Sequence, residues 1–252
     1  MLSARKRALL LTPVIAIAFA TLPAWAEVRE EFHKTVAMDA NGTLWLKNVN
    51  GGVTISAWDK NEIQIDAVKT ADSNEKLRSA VIEVAGSGHS VDVKTKYSEH
   101  LNTNAAKVEY TIHLPRGAAK VTVETVNGGI NIDGPRGRIK ASTVNGEVDV
   151  WNASDEVELD AVNGDVKASL SYPGKSSAKL NVVNGNVALA MPEAANARLK
   201  ATTVHGDIHS DLPLKVDKAQ YGPGANVDTQ LGSGGMTIEL NSVNGSIYLH
   251  KS

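Results

Sequence analysis

The sequence predicts an all-β protein built as a stack of short coils, a parallel β-helix-like solenoid. Three observations point there. The tripeptide Val-Asn-Gly, or Val-His-Gly in one copy, occurs seven times, starting at Val49, Val126, Val144, Val162, Val183, Val204 and Val243. Apolar and polar residues alternate on both sides of each copy, which is the period of a strand with one buried face. From Asn127 to Asn244 the copies stand 18, 18, 21, 21 and 39 residues apart, the last close to two units, and repetition at such a period marks an array or a solenoid.

The elements follow in chain order. Residues 1–26 read as an export signal, with a basic head of Arg5, Lys6 and Arg7, a 13-residue apolar stretch, and Ala24-Trp25-Ala26 at the cleavage site. The apolar stretch is 13 residues long where a bilayer needs roughly 20, so we expect cleavage after Ala26, a periplasmic or secreted chain, and no transmembrane helix once the signal is gone. Removing that segment takes 3 of the 26 Lys and Arg and none of the 28 Asp and Glu, leaving 23 against 28, a formal charge of −5. That sign argues against nucleic acid and anionic lipid, both of which reward clustered cations. The absence of cysteine in an exported chain means that backbone ladders and a continuous core must do what disulfides often do outside the cytoplasm. Aromatics are scarce beside Val, Ile, Leu and Ala, which suits a narrow core.

Counting from the Asn of each copy, the residue before it is always Val and the residue after it always Gly. The corners are therefore Asn50 and Gly51, Asn127 and Gly128, Asn145 and Gly146, Asn163 and Gly164, Asn184 and Gly185, His205 and Gly206, and Asn244 and Gly245. Three residues after the Asn come Val53, Ile130, Val148, Val166, Val187, Ile208 and Ile247. Four before come Leu46, Val123, Ala141, Leu159, Leu180, Ala201 and Leu240, and six before is apolar again. Each copy thus reads as two strands. The apolar phase slips between four-before and one-before, so a bend or bulge is expected there, and Asn and Gly tolerate positive φ at such a corner.

Asn-Gly between alternating runs is also a strong hairpin signal, which makes an antiparallel hairpin array the alternative. In a hairpin each Val would face the residue after the Gly, which is Gly52, Gly129, Glu147, Asp165, Asn186, Asp207 or Ser246, a poor cross-strand match. In a solenoid the Val stacks on the Val of the next coil, and Asn amides can bond into a ladder. His205 breaks the Asn pattern and is expected to interrupt the ladder at its coil.

The run "VEYTIHLPRGAAKVTVETVNGGINIDG", the coils that follow, "TTVHGDIHSDLPL" and "GSGGMTIELNSVNGSIYLHKS" together resemble the DUF4097 family of adhesin-like, GIN-domain-related β-strand repeat proteins. The resemblance covers roughly residues 40–252. It implies a right-handed parallel β-helix-like solenoid, and it brings no catalytic residues.

Outside the repeats, residues 27–120 read as an N-terminal β region that caps the solenoid of residues 121–252. "REEFHKTVAMD" is expected to form an edge strand, and "DSNEKLRSAV" a short helix capped by Asp72 or Ser73. "VIEVAGSGHSVDVKTKY" reads as two strands about a Gly-Ser-Gly turn, and residues 98–107 and 213–235 as irregular. The far end, near "SIYLHKS", has little sequence left to cover it, which leaves an edge open to end-to-end self-association.

No residue set reads as a reaction centre. His205 and His209 stand four apart with Asp207 between them in the same strand phase, but no Cys joins them and the sequence places no further ligand to complete the set that zinc takes. Glu156, Glu158, Asp160 and Asp165 are carboxylates of the type that cleave sugars, yet their alternation with Val157, Leu159 and Val166 explains them as an outward face. Trp58, Trp151, Tyr172 and Tyr221 are the aromatics available to a sugar, and they read as corner cover. The expectation is an exported, non-enzymatic, cofactor-free binding or scaffolding protein of the cell envelope, with an envelope component or another protein as partner. An accessory in envelope stress sensing is the alternative, and a polysaccharide-active enzyme the third reading.

Overall fold

The computed structural model describes residues 27–98, 106–171, 177–218 and 223–252. Residues 1–26, expected to be an export signal, lie outside the described residues, as do Tyr172 and Tyr221. In chain order the elements are β1 (Val28–Lys47), β2 (Val53–Trp58), β3 (Glu62–Ala71), α1 (Asn74–Ser79), β4 (Ala80–Tyr97) and β5 (Lys107–Pro115). The repeats supply β6 (Lys120–Glu124), β7 (Ile130–Asp133), β8 (Arg138–Asn145), β9 (Val148–Ala153), β10 (Val157–Asn163), β11 (Val166–Leu170), β12 (Ser177–Asn184) and β13 (Val187–Met191). The chain finishes with β14 (Ala197–His205), β15 (Ile208–Ser210), β16 (Asp217–Lys218), β17 (Ala225–Leu231), β18 (Met236–Asn244) and β19 (Ile247–Lys251).

Each Val-Asn-Gly is a corner at which the chain leaves one sheet and enters the other. Sheet A runs β1, β3, β5, β2, β7, β9, β11, β13, β19, β15. Sheet B runs β4, β1, β6, β8, β10, β12, β18, β14, β17, β16. The long strand β1 serves both sheets, pairing in sheet A as far as Ala37 and in sheet B from Met38, with a register shift between Met38 and Thr43. Pairing is parallel from β5 to β15 in sheet A and from β4 to β14 in sheet B. The two strands of a repeat do not pair with each other, which excludes the hairpin array and leaves the β-solenoid.

Antiparallel strands close both ends, β3 and β1 on sheet A and β17 and β16 on sheet B. The stacking order is not the chain order. The coil of β18 and β19 is inserted between the coil of β12 and β13 and the coil of β14 and β15. The first copy, at Asn50, likewise sits between the coil of β4 and β5 and the coil of β6 and β7. Two expectations are corrected by this. "SIYLHKS" is not an uncovered end, because β19 has a neighbour on each side, and the 39-residue gap is not two units in line but an excursion through the β16–β17 cap.

The core is a single file of Val, Ile, Leu and Ala, with Leu44, Val121, Ile139, Val157, Leu180 and Leu240 almost fully buried. At the end nearest the N-terminus the filling is bulkier. Tyr110 is the largest fully buried side chain and its hydroxyl lies 2.6 Å from that of Thr95. The short helix forms where expected: Ser73 caps it, its hydroxyl accepting from the Lys76 amide at 3.3 Å. "GSG" reverses β4 on itself, with Gly86 and Gly88 in the left-handed region and the Ser98 amide donating back to the Ser79 carbonyl at 3.1 Å.

Candidate interaction surface

The strand before each corner keeps strict alternation up to the valine, and this decides what the solenoid shows to its surroundings. In β10, Val157, Leu159 and Ala161 point inward while Glu158, Asp160 and Val162 point outward. The expected slip of phase does not occur. The inward position nearest the corner is two before the Asn, where Thr125, Thr143, Ala161, Val182, Ser242 and Thr203 stand buried. Three of the hydroxyls hold the corner backbone: Thr143 donates to the Gly128 carbonyl at 3.0 Å, Ser242 to that of Gly185 at 3.0 Å and Thr203 to that of Gly245 at 2.7 Å.

The valine before each Asn is consequently on the outside. Val126, Val144, Val162, Val183, Val243 and Val204 follow one another across β6, β8, β10, β12, β18 and β14, and each is between 36% and 48% exposed. Beside them runs an open groove of about 470 Å³ lined by Ser142, Asp160, Asn181 and Asn241 together with the valines. A row of exposed apolar side chains on one line is unlike the scattered single hydrophobics of ordinary surfaces. Sequence reasoning missed this row by placing the Val in a slipped apolar phase; the signal that could have found it is an unvarying Val in the outward phase of unbroken alternation.

Next to the valines the asparagines form one chain of amides. Asn127 donates to Asn50 at 2.9 Å, Asn145 to Asn127 at 2.9 Å, Asn163 to Asn145 at 2.9 Å, Asn184 to Asn163 at 2.8 Å and Asn244 to Asn184 at 2.8 Å. His205 lies beyond Asn244, in the last of these coils, so it ends the ladder rather than interrupting it. The glycines after the asparagines are set by close approach. A Cβ on Gly146 would overlap the Gly128 carbonyl, and one on Gly128 would overlap that of Gly51, although Gly128 itself lies outside the left-handed region. Backbone bonds complete each corner, for example Gly128 N–H to the Asn145 carbonyl at 2.9 Å and Gly146 N–H to that of Asn163 at 2.9 Å. Gly51, Gly164, Gly185, Gly206 and Gly245 repeat the close contact along the stack.

The charged residues outside are spent on their neighbours. Glu156 is 2.7 Å from Arg138, Glu158 is 3.0 Å from Lys140, and Asp160 accepts from Asn181 at 2.7 Å. The hydrogen bond from Glu158 raises the Lys140 pKa. Asp165 accepts the Asn186 amide at 2.8 Å. These carboxylates stand in rows on two different sheets; Glu156 and Glu158 line an open depression with Glu239 and Lys179, where cations pair with the first two. On sheet A, burial raises the Asp149 carboxyl, with Lys167 lowering it in part. The three residues of "HGDIH" separate: Asp207 meets Lys218 at 3.3 Å, and His209 stacks on Tyr248 at 5.1 Å between ring centres. Among the described residues no three His, Asp or Glu come together to hold a metal ion. Trp58 is half-buried, stacked on His113 and bonded to the Glu62 carbonyl at 2.8 Å, whereas Trp151 is exposed. No helix among the described residues is long and apolar enough to cross a membrane.

Solved structures similar to this chain include a candidate cell-adhesion protein from Clostridium sporogenes, 14% identical, matching 88% of this chain and 100% of that one with a TM-score of 0.49. A candidate adhesin from Bacteroides fragilis is 15% identical over 88% of this chain and 97% of that one, with a TM-score of 0.42. A candidate lipid-binding protein from Parabacteroides distasonis is 13% identical over 89% and 96%, with a TM-score of 0.32. Among curated proteins none matches this chain. Residues 35–250 match the family described as Toastrack DUF4097, and the chain belongs to that family.

Proposed function

We propose that this protein is a non-enzymatic, adhesin-like component of the cell envelope that binds or scaffolds through the outer face of sheet B. The observation that carries the reading is the exposed valine row, Val126 to Val204, laid beside polar ladders whose members already satisfy one another. Burying such a row against a partner gains roughly 25 cal/mol for each Å² of apolar surface removed from water. The neighbouring side chains need no rearrangement to permit it. Export by the segment 1–26, with cleavage after Ala26, belongs to the same proposal and supplies the route to the envelope. The carboxylates and histidines of the coils then act as solvated, mutually paired surface.

Co-sedimentation of the purified protein with peptidoglycan, outer membrane and whole cells, at low and high salt, tests this. Retention by one fraction that persists in high salt is expected, together with its loss in Val162→Lys and Val183→Lys proteins that still melt cooperatively. Retention by none of the fractions would remove the binding role and favour the accessory role in envelope stress sensing.

A further inference from the structure

We propose that the outer face of sheet B is the contact surface of a homodimer, with a two-fold axis running parallel to the strands between β12 and β18. The proposal rests on the reading of this face as an interaction surface and names its partner as a second copy of the chain.

Such an axis keeps every row of outward residues opposite itself and reverses the order of the coils. A row is then self-complementary only when residues equidistant from the axis suit each other. One row reads Lys140, Glu158, Lys179, Glu239, Lys200 and Asp228 across β8, β10, β12, β18, β14 and β17. The signs alternate without a break, with three charges on each side of the axis. Reversal sets Lys179 against Glu239, Glu158 against Lys200 and Lys140 against Asp228 of the second copy. In the next row Glu156 meets Arg198 and Ser177 meets Thr237. In the row toward the corner Asn181 meets Asn241, and Asp160 meets Thr202. The valine row closes the contact, Val183 against Val243 and Val162 against Val204. Within the six strands from β8 to β17 no like-charged pair arises; the first one, Glu124 of β6 against Asp217 of β16, lies one strand beyond them, at the edge of the contact. An axis lying on β12 or β18, half a spacing away, would set Lys179 against Lys179 or Glu239 against Glu239.

Alternating charge also favours neighbouring strands within one molecule, and Lys140 and Glu158 are 3.0 Å apart there. The exposed valines have no such internal use, and covering them is what a second copy adds. Size is adequate. Six strands about 4.8 Å apart and four outward rows about 6.7 Å apart make a face of roughly 750 Å². A stable specific interface takes about 800 Å² from each partner.

Sedimentation velocity of the purified protein from about 1 to 200 μM reads the dimer directly. Glu158→Lys alone and Lys200→Glu alone are each expected to weaken the dissociation constant by about tenfold or more, and the double variant to restore it within about threefold. The two positions are three strand spacings apart in one molecule, about 14 Å, so they cannot compensate each other there. The double variant in fact places like charges on adjacent strands within each copy, and a rescue must therefore pass through the second one. Melting curves show that each variant is folded. A monomer at every concentration would overturn the proposal, as would a dimer that neither single variant weakens or a double variant weaker than both singles. A monomeric protein that envelope from cells lacking it still retains would leave the binding role standing and remove the second copy as partner. A rescued dimer that no envelope fraction retains would do the reverse.

Discussion

Each coil of this solenoid turns on an amide and a missing side chain. Asn145 donates to Asn127 and accepts from Asn163, so its amide is a link rather than an end. Its exposure to solvent limits what the link contributes. Asn145→Ala should lower stability by about 1 kcal/mol, because an exposed neutral hydrogen bond contributes little net of water. Gly146→Val should cost on the order of 3 kcal/mol, since the added carbons overlap the Gly128 carbonyl and the neighbouring coil must move. Val162→Ser is the contrast, leaving the stability of each copy's own fold within about 0.5 kcal/mol because the side chain points out of its own core. Calorimetric melting of the three variants checks the order, and a Gly146→Val protein that melts with the parent would remove close approach as the reason for glycine.

At the scale of elements the two ends are built differently. The edge half of β1 carries Glu30 and Lys34 on the face that packs inward, where Glu30 lies 2.7 Å from the largely buried Lys69 and Lys34 donates to the Val84 carbonyl at 3.3 Å. Inward charges on an edge strand oppose strand addition, which speaks against end-to-end association there. At the other end the sheet A edge is β15, three residues long. Between β4 and β5 the core is filled by phenols. Burial pushes Tyr110 up to about 12 and Tyr97 up to about 12 from the usual 10. The folded state prefers both neutral, so their contribution is complete below pH 10 and is lost as pH rises from 10 through 12. For Tyr110 that loss is on the order of 2–3 kcal/mol. Tyrosinate absorbance should therefore rise together with loss of circular dichroism in this window, and Tyr110→Phe should move the alkaline transition upward. Phenols that ionise near pH 10 with the fold intact would contradict the burial.

At the scale of the molecule, threading matters most. The coil of β18 and β19, which follows all the others in chain order, is an interior coil, bonded to β12 and β14 in one sheet and to β13 and β15 in the other. Deleting residues 236–252 should therefore abolish the cooperative melt rather than trim one coil from an end. The coil of β14 and β15 would lose its only parallel neighbour among the described residues, and β12 and β13 would become open edges. Circular dichroism melting and amide dispersion in NMR spectra check this, and a truncated protein with a sharp transition would contradict it. Because these pairings join residues far apart in the chain, folding should also be slow for the protein's size.

The sequence by itself determined the class of fold, the corners and the ladder. A seven-fold tripeptide with strand alternation on both sides has few solutions that bury one face of every strand, and identical residues at identical corners are what stacking selects. Local signals also sufficed for α1, whose cap and first turn lie within a few residues, and for the Gly-Ser-Gly reversal of β4. Tertiary structure decided the order of the coils, because every coil presents nearly the same edge and pattern cannot say which copy lies on which. It decided as well that glycine follows each Asn through contact with the coil beside it more than through local φ, a constraint set by residues up to 60 positions away. The valine row depended on both. Its regularity was plain in the chain, but whether those valines faced core or solvent turned on a single residue of phase, and only the buried Thr143, Ala161, Val182 and Ser242 beneath them settled it.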